Sequence, residues 1–284
     1  MDFAQQYGPW ALVAGASDGV GAAMAHELAR RGLNVVLLAR RHSVLDTVAA
    51  QIRDTSGVET HTLAIDLAEA GAARRIIEAT AGLDIGFLVY CAGSDTNVTP
   101  FLDTPLDVAE SMVQRNCMVP VQLCHHYAKP MADRGRGGIV IFGSGAGLAG
   151  APNLVAYSAS KAFDMVLAEA LWSELHTEGV DVLGLILGKT DTPALRALEF
   201  RRGQIASPDT APPGAAPVDD VVAAAFANLT AGPTCLVGED MQAVAQLMAS
   251  VSRNEAVHII ARAVEHRWVK PALRQPDQPR TSVR

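Results

Sequence analysis

Aromatic side chains are scarce in this sequence, 5% of 284 residues, although 49% of the residues are apolar. A core built mainly from Ala, Val and Leu, with 24 glycines for tight turns, favours helices packed on a buried sheet over an all-β sandwich. Only 19% of residues are charged, and so apolar a chain is not wholly disordered. Cations are few: 23 Lys and Arg stand against 30 Asp and Glu, a net charge of -7. That balance argues against a nucleic-acid or anionic-membrane surface, which needs clustered Lys and Arg. Cysteine is also rare. Cys91, Cys117, Cys124 and Cys235 form no C-x-x-C pair and no metal-ligand spacing with histidine, so buried free thiols are expected. His125-His126 and His26-Glu27 lack a further ligand at useful spacing, and no metal is expected. No apolar run approaches the roughly 20 residues that cross a bilayer. Met1–Trp10 shows no basic-then-apolar signal pattern, and the expectation is a cytoplasmic protein without membrane contact.

What is present is a series of short, continuously apolar runs: Trp10–Ala14, Val35–Ala39, Phe87–Cys91, Ile139–Phe142 and Val182–Leu187. Such runs read as strands buried on both faces, as in a parallel sheet. Stretches with helical spacing lie between them, at Val20–Arg31, Ser43–Asp54, Ala68–Ala79, Pro105–Asp133 and Asn153–Glu178. The alternation predicts an α/β fold, a doubly wound parallel sheet of Rossmann type with helices on both faces. No repeat or linker divides residues 1–270, read as one domain. Within it, 193–217 is a short helical piece followed by a Pro/Gly/Ala-rich flap. Residues 240–266 read as a helix packing through Met241, Val244, Leu247, Met248, Val251 and Val257. The polar, proline-broken segment 271–284 reads as a disordered tail.

The first strand runs into Gly15-Ala16-Ser17-Asp18-Gly19-Val20-Gly21 and then directly into a helix. Glycines in a G-x-x-x-G-x-G loop let backbone N–H groups approach a pyrophosphate at the positive end of that helix. An acid about 20 positions on would select NAD by bonding the ribose hydroxyls. The second strand instead ends at Arg40 and Arg41, which suit a 2′-phosphate, with Ser17 as a possible helper, and NADP(H) is the expected cofactor. Asp66-Leu67 follows the third strand, where an adenine edge would lie. A helix N-cap explains Asp66 nearly as well.

Tyr157 and Lys161 share a helix face at i, i+4. A phenol exchanges protons near neutral pH only when a cation stabilises its anion, and Lys161 can serve. Ser144 stands thirteen residues earlier, at the carboxyl end of a central strand. It is placed to hold a substrate oxygen beside the phenol. A nucleophile elbow is excluded because Phe142 occupies the position of its first glycine. Asn116 is a polar amide in an apolar helical stretch. It is expected to interrupt the helix and to hold a water that links Lys161 to solvent.

In these motifs the sequence resembles the short-chain dehydrogenase/reductase family in its short single-domain form, over about Tyr7–Pro193. The resemblance rests on Gly15, Gly19 and Gly21, on Asp66, on Cys91-Ala92-Gly93, on Asn116, Ser144, Tyr157 and Lys161, and on Leu187-Gly188 with Thr192. It implies a seven-stranded parallel sheet and an Asn116-Ser144-Tyr157-Lys161 tetrad. It also implies that Thr190 and Thr192 flank the nicotinamide carboxamide, and that long helices pair copies into a homodimer or homotetramer. Three departures touch the scaffold and cofactor framing only. Ala14 replaces the usual Thr, Tyr90 and Cys91 replace two asparagines, and Leu187 replaces proline.

The expected activity is NADP(H)-dependent interconversion of a ketone or aldehyde and an alcohol. The alternative is a non-catalytic NADP-binding redox sensor or scaffold, which has no need of Ser144 and Tyr157 together. Nucleotide-sugar epimerases and dehydratases carry a different glycine spacing and a larger C-terminal domain. Substrate choice is expected from 94–101, 145–154 and 193–217. There Ala151, Leu154, Leu195, Leu198 and Phe200 favour a hydrophobic carbonyl compound. Met241 and Met248 are further candidates for the pocket border.

Overall fold

A computed structural model of the chain describes residues 2–94 and 98–268. Seven strands form one parallel sheet: β1 (Trp10–Ala14), β2 (Asn34–Ala39), β3 (Thr60–Ala64), β4 (Ile85–Tyr90), β5 (Gly137–Ser144), β6 (Val180–Leu187) and β7 (Thr234–Leu236). Their order is β3-β2-β1-β4-β5-β6-β7, so the winding reverses between β1 and β4 and opens a crevice at the carboxyl ends there. Among the described residues the α-helices are α1 (Phe3–Tyr7), α2 (Gly19–Arg30), α3 (His42–Ser56), α4 (Ala72–Ala79), α5 (Leu106–Val113), α6 (Val119–Asp133), α7 (Val155–Leu175), α8 (Pro193–Arg201), α9 (Val218–Asn228), α10 (Glu239–Ser250) and α11 (Arg253–Trp268). None of them is long and apolar enough to cross a membrane.

The two-residue period of the strands divides the core into two layers. Ala11, Val13, Val35 and Leu37 pack with Met24 and Leu28 of α2, Leu45 and Ile52 of α3, and Val221 of α9. Leu12, Ala14, Val36 and Leu38 pack with Ile76 of α4, Leu123, Tyr127 and Met131 of α6, and Ala168 of α7. Each large side chain buried in these layers contributes on the order of 2 kcal/mol. At the sheet edge, Leu63 is the one buried residue of β3, which explains why that strand has so weak a sequence signal.

Three expected helices differ from those formed. The stretch 105–133 is divided by a π-helical turn at Gln114–Met118, centred on Asn116. The stretch 68–79 is helical only from Ala72, because the Asp66 carboxylate accepts from the Ala68 N–H at 3.0 Å and holds a turn there. The stretch 240–266 is two helices, since Ser252 and Glu255 form a reciprocal cap that starts α11 afresh (Ser252 N–H to Glu255 Oε2, 2.9 Å; Glu255 N–H to Ser252 Oγ, 3.3 Å). Of the packing residues expected there, Met241 is buried, Met248 and Val251 are half-buried, and Val244, Leu247 and Val257 are exposed. The segment 203–217 runs in turns after α8 and returns to the sheet through an Ala216–Thr190 bridge. Of the four thiols only Cys124 is fully buried; Cys91, Cys117 and Cys235 are half-buried. The expected tail, 271–284, lies outside the described residues.

Candidate active site

The loop after β1 closes on two other loops because three positions have no side chain. Gly15 has φ +95°, and a Cβ there would lie 3.0 Å from the Ala92 nitrogen, at the end of β4. A Cβ at Gly19 would lie 2.9 Å from the Thr192 methyl, and one at Gly21 would strike the Gly15 carbonyl. Asp18 caps α2, accepting from the Gly19 N–H at 2.7 Å, and its other oxygen lies 4.0 Å from Arg41. Val20 is buried in the core, and Ser17 is half-buried beside it in sequence. Past β2, Arg40 and Arg41 are exposed, and past β3, Leu67 is buried and Asp66 half-buried. A backbone cradle at a helix start, with guanidinium groups but no acid at the tip of β2, fits a dinucleotide that carries a 2′-phosphate.

Ser144 ends β5, and its Oγ accepts from the Ala146 N–H at 3.2 Å. The following turn lies against α7 so closely that a Cβ at Gly147 would sit 2.6 Å from the Lys161 carbonyl carbon. Tyr157 is in the first turn of α7, half-buried, and Lys161 is one turn further in and 4% exposed. The Lys161 Nζ donates to the Phe142 carbonyl at 2.8 Å and to Asp164 Oδ2 at 2.9 Å, and it lies 6.0 Å from the centre of the Tyr157 ring. Burial by itself would pull the Lys161 pKa down, but the negative charge of Asp164, with Tyr157 and Cys91, leaves it above that of an ordinary amine. The Asp164 carboxyl is pushed up to about 6 by burial, which Lys161 only partly offsets.

Asn116 is fully buried in the π turn. Its amide donates to Ser160 Oγ at 2.9 Å and to the Gly93 carbonyl at 3.4 Å, and its Oδ1 accepts from Arg115 Nε at 3.1 Å. Both amide hydrogens are therefore engaged by protein, which leaves Oδ1 as the atom of this side chain that can still accept from the expected water. It ties α7 to the loop after β4. Gly93 is required there, because a Cβ at its φ of +112° would strike the Asn116 amide. Ala92 is half-buried and begins this loop.

The loop after β6 completes the rim. Gly188 is exposed, Thr190 is buried, and the Thr192 hydroxyl caps α8 by accepting from the Leu195 N–H at 3.2 Å. Two ion pairs fasten α8 to this loop: Lys189 with the buried Glu199, and Arg196 with Asp191 at 2.6 and 2.8 Å. Met241 covers the end of the cleft, its sulfur 2.8 Å from where a Cβ on Gly145 would be and 3.9 Å from that of Gly188. Beside Tyr157 a small cavity is lined by Phe101, Val108, Met112 and Val155. It shares Thr99, Thr104 and Val108 with a larger one that reaches Leu198, Arg201 and Arg202. Of the five pocket residues expected from sequence only Leu198 lines these cavities, and Phe200 is turned out to solvent. Part of the expected segment 94–101 lies outside the described residues. The sequence reading missed α5 as a wall, together with Ser160, the Lys189–Glu199 pair and Asp164. For Asp164 a signal existed, an acid three residues after Lys161 in an otherwise apolar helical stretch.

The sheet and its crevice belong to a Rossmann-type oxidoreductase that interconverts ketones or aldehydes and alcohols with a nicotinamide cofactor. More narrowly, the chain belongs to the short-chain dehydrogenase family, whose profile matches residues 9–202. It is 32% identical to a 7beta-hydroxysteroid dehydrogenase of Clostridium sardiniense over 266 residues, which is 94% of this chain and 99% of that one. A solved 7beta-hydroxysteroid dehydrogenase structure matches with a TM-score of 0.82 at 32% identity, covering 92% of this chain and 99% of that one. A short-chain dehydrogenase from Sphingobium yanoikuyae, solved in complex with NADPH, matches at 0.72 with 27% identity, over 95% of this chain and 99% of that one.

Proposed function

We propose that this chain reduces a bulky hydrophobic ketone with NADPH, with Tyr157 as the proton donor. The observation that carries the reading is the buried Lys161 ammonium at the foot of Tyr157, both facing the end of a central strand. NADPH, when bound, supplies the hydride. Ser144 and Tyr157 hold the carbonyl oxygen as it gains charge. Tyr157 gives that oxygen its proton, and the Lys161 cation makes the resulting phenolate affordable. Asn116 acts at a distance from the proton path by holding the π turn against α7 and Gly93. Gly188, Thr190 and Thr192 frame the nicotinamide end of the cleft, Gly15–Gly21 the pyrophosphate, Ala92 and Gly93 the span between them, Asp66 and Leu67 the adenine, and Arg40 with Arg41 the 2′-phosphate. The preference for a large apolar substrate rests on Phe101, Val108, Met112 and Val155 beside Tyr157, and on relatives named for a hydroxysteroid. Two or four copies associate through α5–α6 and α7, where Met118, Val121, Phe163 and Val166 are exposed.

The test is fluorescence titration with NADPH and NADH, followed by turnover of bulky ketones by the wild-type chain and by Tyr157→Phe. Tight NADPH binding in both proteins, with turnover down at least about a thousandfold in the variant, is expected. Activity retained in Tyr157→Phe sinks the assignment. NADPH binding with no turnover of any carbonyl by the wild-type chain favours the sensor or scaffold.

A further inference from the structure

We propose that Asp164 is a positioning residue of the active site: its carboxylate clamps the Lys161 ammonium beneath Tyr157 and sets the pH at which the Tyr157–Lys161 pair releases a proton. The inference rests on the reading of Tyr157 as proton donor given above.

Tyr157, Lys161, Asp164 and Ala168 stand at i, i+4, i+7 and i+11, so they share one face of α7. That face is turned inward: Lys161 is 4%, Asp164 1% and Ala168 0% exposed. The surroundings of Asp164 offer little to a charge. Lys161 holds its Oδ2 at 2.9 Å, and its Oδ1 is buried without a hydrogen-bond partner. A carboxylate left half-satisfied in a dry core destabilises the fold, and an apolar residue like Ala168 would fill the place better. Its presence therefore answers to Lys161.

The consequence is electrostatic. Lys161 favours the Tyr157 phenolate because it is a cation, and a carboxylate on the same ammonium cancels part of that effect. Whether the first proton leaves from the phenol or from the amine, the charge of Asp164 opposes its departure. The other groups around Asp164 are Tyr90 on β4, Cys117 in the π turn and Cys124 on α6, and its charge holds their protons more tightly as well. Cys91, after β4, lies beside Lys161, and burial pushes its thiol up to about 12. These groups stay neutral through the working range and do not compete for the proton. Above about pH 6 Asp164 is ionised and the opposition is in force.

The chain reports on this directly through its tyrosines. Tyr7, Tyr90 and Tyr127 are buried, and burial raises all three above an ordinary phenol. The part of the tyrosinate absorbance on alkaline titration of the cofactor-free chain that vanishes in Tyr157→Phe belongs to Tyr157. In Asp164→Asn that signal is expected about one pH unit lower than in wild type, a tenfold change in the ionised fraction. The rising limb of alcohol oxidation with NADP+ is expected to move with it, while NADPH binding stays within about threefold. Asp164→Ser, also uncharged, is read in the same way should the Asn variant fail to fold. Asp164→Glu is expected to restore the wild-type profile. Curves for Asp164→Asn or Asp164→Ser that coincide with wild type, or that move to higher pH, overturn the role of Asp164 while leaving Tyr157 in place. Activity surviving in Tyr157→Phe overturns the assignment beneath it, and this inference with it.

Discussion

At the tip of β2 two neighbouring guanidinium groups have unequal surroundings. Arg41 lies 4.0 Å from the Asp18 carboxylate, which shares its charge, whereas no carboxylate among the described residues pairs with the exposed Arg40. A fork of N–H donors on a phosphate contributes roughly 2 kcal/mol when it is not already engaged. Arg40→Ala is therefore expected to weaken NADPH binding about thirtyfold and to leave NADH binding unchanged, with a smaller loss in Arg41→Ala. Equal losses for both cofactors would remove Arg40 from the 2′-phosphate site. Much of the proposed site was legible in the sequence, because Gly15, Gly19, Gly21, Arg40, Tyr157 and Lys161 are marked by their spacing along a single loop or helix. Asp164 and Ser160 were not singled out. Their meaning depends on which atoms face them from β5 and the π turn.

Helix α8 shows how an element can be held by charge where its hydrophobic grip is slight. Leu198 is its buried apolar residue, and Glu199 beside it is buried against Lys189 in the loop after β6. Glu199→Ala leaves that lysine without its counter-charge and loosens α8 by on the order of 2 kcal/mol. Amide exchange within 193–201 is then expected to quicken roughly thirtyfold while exchange in β1, β4 and β5 is unchanged. The KM for a bulky ketone is expected to rise more than kcat falls. Uniformly faster exchange throughout the sheet would show that the pair serves global stability instead. The break at Ser252 and the π turn at Asn116 belong to this scale too. Apolar periodicity runs across both, and each break is made by polar groups finding partners.

For the molecule as a whole, α7 has two incompatible faces. Tyr157, Lys161, Asp164 and Ala168 look inward, while Phe163 and Val166 are exposed on the other side, and Met118 of the π turn and Val121 of α6 are exposed as well. An apolar outer face on a helix that is already buried on its inner side is stable when it is covered by another copy. Light scattering is expected to show a dimer or tetramer for the wild type, and the double variant Phe163→Glu/Val166→Glu is expected to fall to a monomer. A wild-type monomer at micromolar concentration would refute the pairing through these helices.

The sequence by itself determined the layered α/β architecture, the place of the glycine-rich loop after β1 and the class of chemistry. Each of these follows from short-range periodicity or from glycine, tyrosine and lysine at fixed spacing. Edge strands β3 and β7, short and half-exposed, were faint for the same reason, since a strand with at most one buried residue has little pattern to read. Only the tertiary structure decided that the Asn116 amide is occupied by Ser160 and Gly93, that α5 walls the cavity, and that Asp164 is paired with Lys161. Those facts depend on distances between segments far apart in the chain, and hydrophobic patterning does not record which polar group a buried polar group will meet.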